Sequence, residues 1–127
     1  MSDSFNSKIA IVEDDIAIVQ MYQLKFRAEG YEVAFAEDGE QGLQLIEEFQ
    51  PDIVLLDLMM PVMNGTEVLK KLRKEDWGKD LKVIVLTNMS ESEAPDEMNE
   101  LGVEEYIVKS DLTPKEVTAK IKQALGN

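Results

Sequence analysis

The stretch PDIVLLDLMMPVMNG, residues 51–65, contains a short apolar run that ends on an acid. Residues 53–56 are all aliphatic, which is typical of a strand whose two faces are both buried. Asp57 follows this run directly, and Met59, Met60 and Pro61 come close behind it. Because a carboxylate is costly to bury without a partner, Asp57 predicts a polar site at the end of this strand.

Four further strand-like runs flank this one, and helical patterns separate them. The runs are KIAIVED (8–14), YEVAFA (31–36), KVIVLT (82–87) and EYIVK (105–109). Strands separated by helices must be parallel, and right-handed crossovers place helices on both faces of the sheet. The pattern predicts an α/β fold of five βα units, (βα)5, with a doubly wound five-stranded parallel sheet. Residues 1–7 are expected to form a short N-terminal tail before one domain, 8–127.

Capping residues mark where several of the predicted helices begin. Asp38 precedes the second helix, Asn64 and Glu67 open the third, and TPKE (113–116) opens the fifth. A fourth, polar helix is expected to start at Ser90 or Ser92. It carries few apolar residues and has a proline in its first turn, so we expect it to be weak.

The composition argues against several classes of function. The chain of 127 residues carries 13 Lys and Arg against 26 Asp and Glu, a net charge of −13. Direct nucleic-acid and anionic-membrane contacts are therefore not expected, since both need basic side chains. The chain has no cysteine and no histidine, which removes disulfides, the usual zinc sites and histidine general bases. Since neither a signal peptide nor a membrane-length apolar run is visible, a cytoplasmic location is expected.

Polar residues stand at the carboxyl ends of four predicted strands. In doubly wound sheets these ends meet at one edge, where ligands bind. The residues are, in chain order, Glu13, Asp14 and Asp15, then Asp57, then Thr87 and Asn88, and finally Lys109 and Ser110. Each one alone is explained by a helix cap, a strand end or a solvated charge. Their coincidence at one edge instead predicts a functional site.

The carboxylates of this edge would repel one another unless a cation neutralised them. Oxygen ligands suit a hard ion such as Mg²⁺ better than zinc or copper. A lysine and a threonine beside them can hold the oxygen atoms of a phosphoryl group. With a metal, Lys109 and Thr87 would therefore make Asp57 a phosphoryl acceptor that attacks in line.

These motifs resemble the receiver domain of the bacterial two-component response regulators, including the chemotaxis regulators. The resemblance covers nearly the whole chain and implies a flavodoxin-like sheet with strand order 2-1-3-4-5. The matching motifs are VEDD (12–15) for the family's acidic pair, DIVLLDLMMPVMNG (52–65) for its phosphoacceptor strand and loop, VIVLTN (83–88) for its switch hydroxyl, and EYIVKS (105–110) for its switch aromatic residue and lysine.

The resemblance implies a phosphorylation switch rather than an enzyme that acts on other substrates. Asp57 would accept a phosphoryl group with the help of Lys109 and Thr87. The donor would be a phosphohistidine on a sensor histidine kinase or a histidine phosphotransfer protein, since this chain has no histidine. Thr87 would then move toward the phosphoryl group, and Tyr106 would turn inward.

The resemblance also implies a metal site. Asp14, Asp57 and the backbone carbonyl of Met59 would bind Mg²⁺, with Mn²⁺ as an alternative ion, and Glu13 would help through water. Two methionines depart from the usual pattern around the phosphoryl group, namely Met59 and Met89. Neither can orient an attacking water, so we expect slow self-dephosphorylation, unless their side chains point away from the site.

Two other positions depart from the family pattern. Ser110 stands where proline usually follows the lysine, so a trans bond is expected there, and the loop that it opens can take another path. Asn88 is larger than the usual residue and is expected to narrow access to the phosphoryl group or to donate a hydrogen bond to it.

The expected output surface comprises the fourth helix, the fifth strand and the fifth helix. Residues 91–105 contain seven acids and no base, whereas Lys115, Lys120 and Lys122 follow on the last helix. Such runs are often only solvated faces. The alternative is a surface for a downstream protein of unknown identity, or a phosphorylation-dependent homodimer that pairs the acidic segment with the basic helix.

Three other functions remain open. A metal-dependent phosphohydrolase would usually carry a second acid where Met59 stands. A flavin-binding protein of similar fold needs a phosphate loop rich in Ser, Thr and Gly, where this chain has EDDIAIV (13–19). A receiver that switches without phosphorylation would not need its chemical residues, which are all present here. The sequence does not separate a stand-alone regulator from a receiver cut from a longer protein.

Overall fold

The computed structural model describes residues 7–126, so the predicted tail lies outside the described residues except for Ser7. The strands are β1 (Lys8–Val12), β2 (Glu32–Ala36), β3 (Ile53–Leu56), β4 (Lys82–Thr87) and β5 (Glu105–Val108). The helices are α1 (Ile16–Ala28), α2 (Gly39–Phe49), α3 (Gly65–Arg73) and α4 (Pro114–Ala124), and α4 corresponds to the fifth predicted helix. Two 3-10 segments, Glu91–Glu93 and Asp96–Glu100, lie between β4 and β5.

The five strands pair in parallel in the order β2-β1-β3-β4-β5, which confirms the predicted fold class and strand order. Val12, at the end of β1, is in register with Leu56, at the end of β3. The next residues in the two strands, Glu13 and Asp57, therefore reach the same edge of the sheet. β3, the middle strand, is apolar and buried at all four positions because both of its faces are covered.

Each face of the sheet has its own hydrophobic core. Ile9 and Ile11 of β1 pack on the side of α1 and α4, together with residues such as Phe26 and Ile121. Ala10 and Val12 face the other way, toward α2, α3 and the 3-10 segments. Alternate residues of one strand thus enter different cores, as the period of two requires. Within residues 7–126, no helix is long and apolar enough to cross a membrane.

The helices begin where the capping residues predicted. The side chain of Asp38 accepts a hydrogen bond from the Gln41 amide at 2.8 Å at the start of α2. Asn64 and Thr113 each form a complete capping box, in which the N-cap side chain and the glutamate three residues later satisfy each other's backbone amides. These local interactions place α3 and α4 directly after the loops that carry the site.

The fourth predicted helix is not an α-helix. Ser90 precedes the first 3-10 segment, and Gly102, at φ +66°, follows the second one closely. Ala94 lies between the segments with extended backbone, φ −64° and ψ 146°, because the residue before a proline avoids the helical region. Like charges four residues apart, such as Asp96 and Glu100, would also repel each other in an α-helix.

Candidate functional site at the carboxyl edge of the sheet

The carboxyl edge of the sheet brings buried polar side chains together. Glu13 is 3% exposed, Asp57 is 4% exposed, and Thr87 is fully buried, whereas Asp14 is exposed. The backbone of the neighbouring strands fixes these positions, since the Asp57 amide donates to the Val12 carbonyl at 2.9 Å. Lys109 is held similarly, because its amide donates to the Thr87 carbonyl at 2.7 Å.

Lys109 joins two of the acids. Its Nζ lies 2.8 Å from Glu13 Oε1 and 3.3 Å from Asp57 Oδ2. Glu13, Asp14 and Asp57 each place one carboxylate oxygen within 4.8 Å of the others, an arrangement that could hold a metal ion. When all three carboxylates are ionised, Lys109 offsets one of their negative charges, and a divalent cation could offset the other two.

Burial and neighbouring polar groups both shift the pKa values of Glu13 and Lys109. Burial raises the pKa of Glu13 to about 7, and the charge of Asp57 adds to this, although hydrogen bonds from Lys109 and the Asp15 amide oppose it. Burial lowers the pKa of Lys109, but the hydrogen bond to Glu13 and the charges of Asp57 and Glu13 outweigh it, so the pKa of this ammonium is raised. Lys109 is therefore a cation, held by two acids in a largely dry site.

The loop after Asp57 is fixed by backbone interactions. The Met59 amide donates to Asp57 Oδ1 at 3.1 Å, which orients the carboxylate. The Gly65 amide donates to the Leu58 carbonyl at 3.0 Å and brings α3 back against the strand end. A side chain at Gly65 would collide with the Asp57 carbonyl oxygen, so only glycine allows this approach.

The backbone of Met89 connects the two predicted switch residues. Its amide donates to Thr87 Oγ1 at 3.3 Å, and its carbonyl accepts from the Tyr106 hydroxyl at 2.9 Å. The Tyr106 hydroxyl also lies 3.4 Å from the Ser90 carbonyl. A movement of either side chain would therefore disturb the chain that leads into the first 3-10 segment.

The structure shows where the remaining predicted residues lie. The Met59 side chain is 52% exposed, Asn88 is exposed, and Met89 is partly buried against the core on the α2–α3 face. Asp15 acts as the N-cap of α1, with Oδ1 3.0 Å from the Ala17 amide, so it is a structural cap. The described residues include no cis peptide bond, which agrees with the trans bond expected before Ser110.

Two notable residues were not predicted from the sequence. Val62, in the loop after Asp57, has φ +70°, a conformation that β-branched residues rarely adopt. Arg73, at the end of α3, donates hydrogen bonds to five backbone carbonyls. A basic residue in the last turn of a helix is ordinary, so the sequence carried no signal of this role.

Comparison with known proteins identifies the family. The family model for the response regulator receiver domain matches residues 9–122. The chain belongs to the response regulator receiver domain family. A solved receiver domain protein (CheY-like) from Methanospirillum hungatei has a TM-score of 0.84 and 34% identity, covering 95% of this chain and 94% of that one. This agrees with the family named from the sequence motifs.

Curated relatives of this receiver domain are longer proteins. The DNA-binding response regulator MtrA of Mycobacterium tuberculosis is 34% identical over 123 residues, which are 97% of this chain but 52% of MtrA. The alkaline phosphatase synthesis transcriptional regulatory protein PhoP of Bacillus subtilis is 36% identical over 94% of this chain and 49% of PhoP. The chain thus spans about half the length of these relatives.

One further solved structure shares the fold of this chain. The crystal structure of the CheX-CheY-BeF3-Mg+2 complex from Borrelia burgdorferi contains a chain that is 25% identical to this one, with a TM-score of 0.82. The match covers 94% of this receiver domain and 89% of that chain. That complex includes beryllofluoride and a magnesium ion.

Proposed function

We propose that Asp57 accepts a phosphoryl group in a two-component phosphorelay and that the resulting charge switches a partner surface. The observation that carries this proposal is the environment of Asp57. Its carboxylate is 4% exposed at the sheet edge, within reach of two further acids and 3.3 Å from the Lys109 ammonium. A nucleophilic carboxylate needs this combination of exclusion from water and cationic support.

Glu13, Asp14 and Asp57 fit a magnesium ion, with Mn²⁺ as the alternative. Their oxygen atoms suit a hard divalent ion, and their arrangement leaves two negative charges after pairing with Lys109. Asp14 and Asp57 would hold the ion together with the Met59 carbonyl, and Glu13 would assist through water. When bound, the ion would neutralise charge on the transferring phosphoryl group.

The side chains around Asp57 have separate roles in binding the phosphoryl group and in transmitting the change. Lys109 exchanges its contact with Asp57 for one with a phosphoryl oxygen and keeps its ion pair with Glu13. The Thr87 hydroxyl donates a hydrogen bond to the phosphoryl group. Its oxygen then moves away from the Met89 amide, which it contacts in the present structure. Because Tyr106 contacts the carbonyl of the same residue, this movement is transmitted to the start of the first 3-10 segment.

Met59, Asn88 and Met89 are proposed to set the lifetime of the phosphoryl group. None of the three offers a carboxylate that could take a proton from an attacking water. Met89 is partly buried, whereas the side chains of Met59 and Asn88 are exposed to solvent. We therefore expect slow hydrolysis, because none of these three side chains can activate an attacking water.

The output surface is proposed to recognise a protein with basic residues. A groove of about 420 Å³ lies between the 3-10 segments and β5, with Met98, Val103 and Tyr106 in its lining. Residues 91–105 contain seven acids, of which Glu91 and Asp96 line the groove. The ion pairs Glu97–Lys70 and Glu105–Lys120 offset two of the seven charges. A homodimer through this segment and α4 is the alternative, and sedimentation with and without beryllofluoride distinguishes the two.

Other partners follow from the same chemistry. The phosphoryl donor is a sensor histidine kinase or a histidine phosphotransfer protein, acting in the cytoplasm. MtrA is named as DNA-binding, but this chain matches only about half of it, and the net charge of −13 disfavours direct DNA contact by this chain. Electrophoretic mobility of a DNA fragment with the chain at low salt tests this expectation.

Phosphorylation by acetyl phosphate with Mg²⁺ tests the proposal. The wild-type chain should gain one phosphoryl group, detected by mass spectrometry, and Asp57→Asn should gain none. Asp76→Asn, which removes an exposed acid from the loop before β4, is the matched control and should be phosphorylated normally. Labelling that persists in Asp57→Asn, or that needs no divalent ion, would show that the site works differently.

A further inference from the structure

The Arg73 side chain donates hydrogen bonds to backbone carbonyls that all lie outside its own helix, α3. Its Nε donates to the Leu101 carbonyl at 2.8 Å, and its Nη2 donates to the Gly102 carbonyl at 3.0 Å. Its Nη1 contacts the carbonyls of Gly78 at 2.8 Å, Leu81 at 2.7 Å and Lys79 at 3.5 Å. One guanidinium thus joins the end of α3 to the loop before β4 and to the end of the second 3-10 segment.

This arrangement depends on the shape of arginine. The planar guanidinium presents five N–H groups in a fixed fork, whereas a lysine ammonium has three donors at one point. Leu101 and Gly102 end a segment with little support of its own, because in that segment only Met98 is buried in the core. Arg73 therefore replaces the packing that a full α-helix would have supplied.

The other end of α3 lies against the phosphoacceptor. The amide of Gly65, the first residue of α3, donates to the Leu58 carbonyl, and its Cα closely approaches the Asp57 carbonyl. Gly65 and Arg73 are the first and last residues of the nine-residue helix α3. Lys70 lies on the same helix face as Arg73, because residues three apart are neighbours on a helix surface. Its Nζ is 2.9 Å from Glu97 of the second 3-10 segment.

We propose that Arg73 is a positioning residue that couples the phosphoacceptor loop to the output segment through α3. This inference rests on the proposed function, since it takes phosphorylation of Asp57 as the input. A charge change at Asp57 displaces the loop that carries Gly65, α3 shifts as a rigid element, and Arg73 transmits the shift to Leu101 and Gly102. This link is separate from the one through Thr87, Met89 and Tyr106, which reaches the opposite end of the same region.

The chain contains its own reporter for this link. Trp77 is the only tryptophan, is partly buried against the core on the α2–α3 face, and directly precedes Gly78, a hydrogen-bond acceptor of Arg73. Beryllofluoride with Mg²⁺ serves as the phosphoryl mimic, and its binding is measured independently as an increase in melting temperature. Trp77 emission in the wild-type chain should then change on binding.

Four variants test the role of Arg73. Arg73→Met should still bind the mimic, but its change in Trp77 emission should be at least fivefold smaller than in the wild-type chain. Arg73→Lys should behave similarly, because lysine keeps the charge but lacks the planar set of N–H donors. Lys70→Met removes only the exposed ion pair and should keep the response. Ile121→Val, which lowers stability from the opposite core, should also keep it. If Arg73 had a merely structural role, Arg73→Met would lower the melting temperature of the free protein but keep the Trp77 response.

The remaining outcomes distinguish failure of the coupling from failure of the proposed function. Binding without any Trp77 response in the wild-type chain, or an undiminished response in Arg73→Met, would overturn the coupling while leaving the proposed function intact. Loss of the response in Ile121→Val as well would also overturn it, because general destabilisation would then explain the result. Absence of Mg²⁺-dependent mimic binding by the wild-type chain would overturn the proposed function itself.

Discussion

Replacing Val62 by asparagine should stabilise the protein. Val62 has φ +70° and is 75% exposed, so its side chain contributes little packing while its branched Cβ crowds the left-handed backbone. This conformation costs about 1–2 kcal/mol for an ordinary residue, and asparagine tolerates it well. Allowing for a small remaining cost with asparagine, the free energy of unfolding should rise by about 1 kcal/mol.

Calorimetry and urea titration measure this gain directly. An unfolding entropy of ~2.1 cal/mol/K per residue converts 1 kcal/mol into about 4 °C for a chain of 127 residues. Val62→Thr is the matched control, because threonine keeps the branched Cβ while removing the exposed apolar surface, and it should gain almost nothing. An equal gain in both variants, or a loss in Val62→Asn, would refute the explanation from backbone strain.

Three further predictions concern the site. Mg²⁺ at 100 times its Kd should add about 2.7 kcal/mol to the free energy of unfolding, which raises the melting temperature by roughly 10 °C. Calorimetry should show a smaller gain for Asp14→Asn, and an undiminished gain would contradict the proposed metal site. Combining Met59→Asn with Met89→Glu should shorten the lifetime of phosphorylated Asp57 about tenfold, measured as phosphate release against the wild-type chain. An unchanged lifetime would show that these two methionines do not slow hydrolysis. Gly65→Ala should cost about 2 kcal/mol in urea titration, because the added methyl overlaps the Asp57 carbonyl; a neutral result would show that the loop relaxes.

Much of the fold followed from local signals in the sequence. The apolar run over 53–56 predicted a doubly covered strand, and Asn64 with Glu67 predicted the start of α3, as the capping box confirms. These predictions succeed because strand burial and helix caps depend on residues close together in the chain. The fourth helix failed because its capping signal at Ser90 competed with a proline and with repelling acids, and the balance favoured 3-10 turns.

The candidate site was predictable in its residue types but not in its pairings. Parallel topology alone brings Glu13, Asp57 and Lys109 to one edge, since each follows the end of a strand. Which acid Lys109 prefers is a matter of side-chain reach, and the structure gives 2.8 Å to Glu13 against 3.3 Å to Asp57. Asp15, which stands beside the same acids in sequence, turns instead to the first amides of α1.

The sequence by itself determined the sheet, the order of its elements and the collection of acids, lysine and threonine at one edge. Only the tertiary structure decided that Arg73 reaches from α3 to the carbonyls of Leu101 and Gly102, which lie 28 and 29 residues further along the chain. It also decided that Val62 takes a left-handed backbone. The reason is physical: periodicity and capping are local properties, whereas a hydrogen bond between distant segments exists only once the core has packed them against each other.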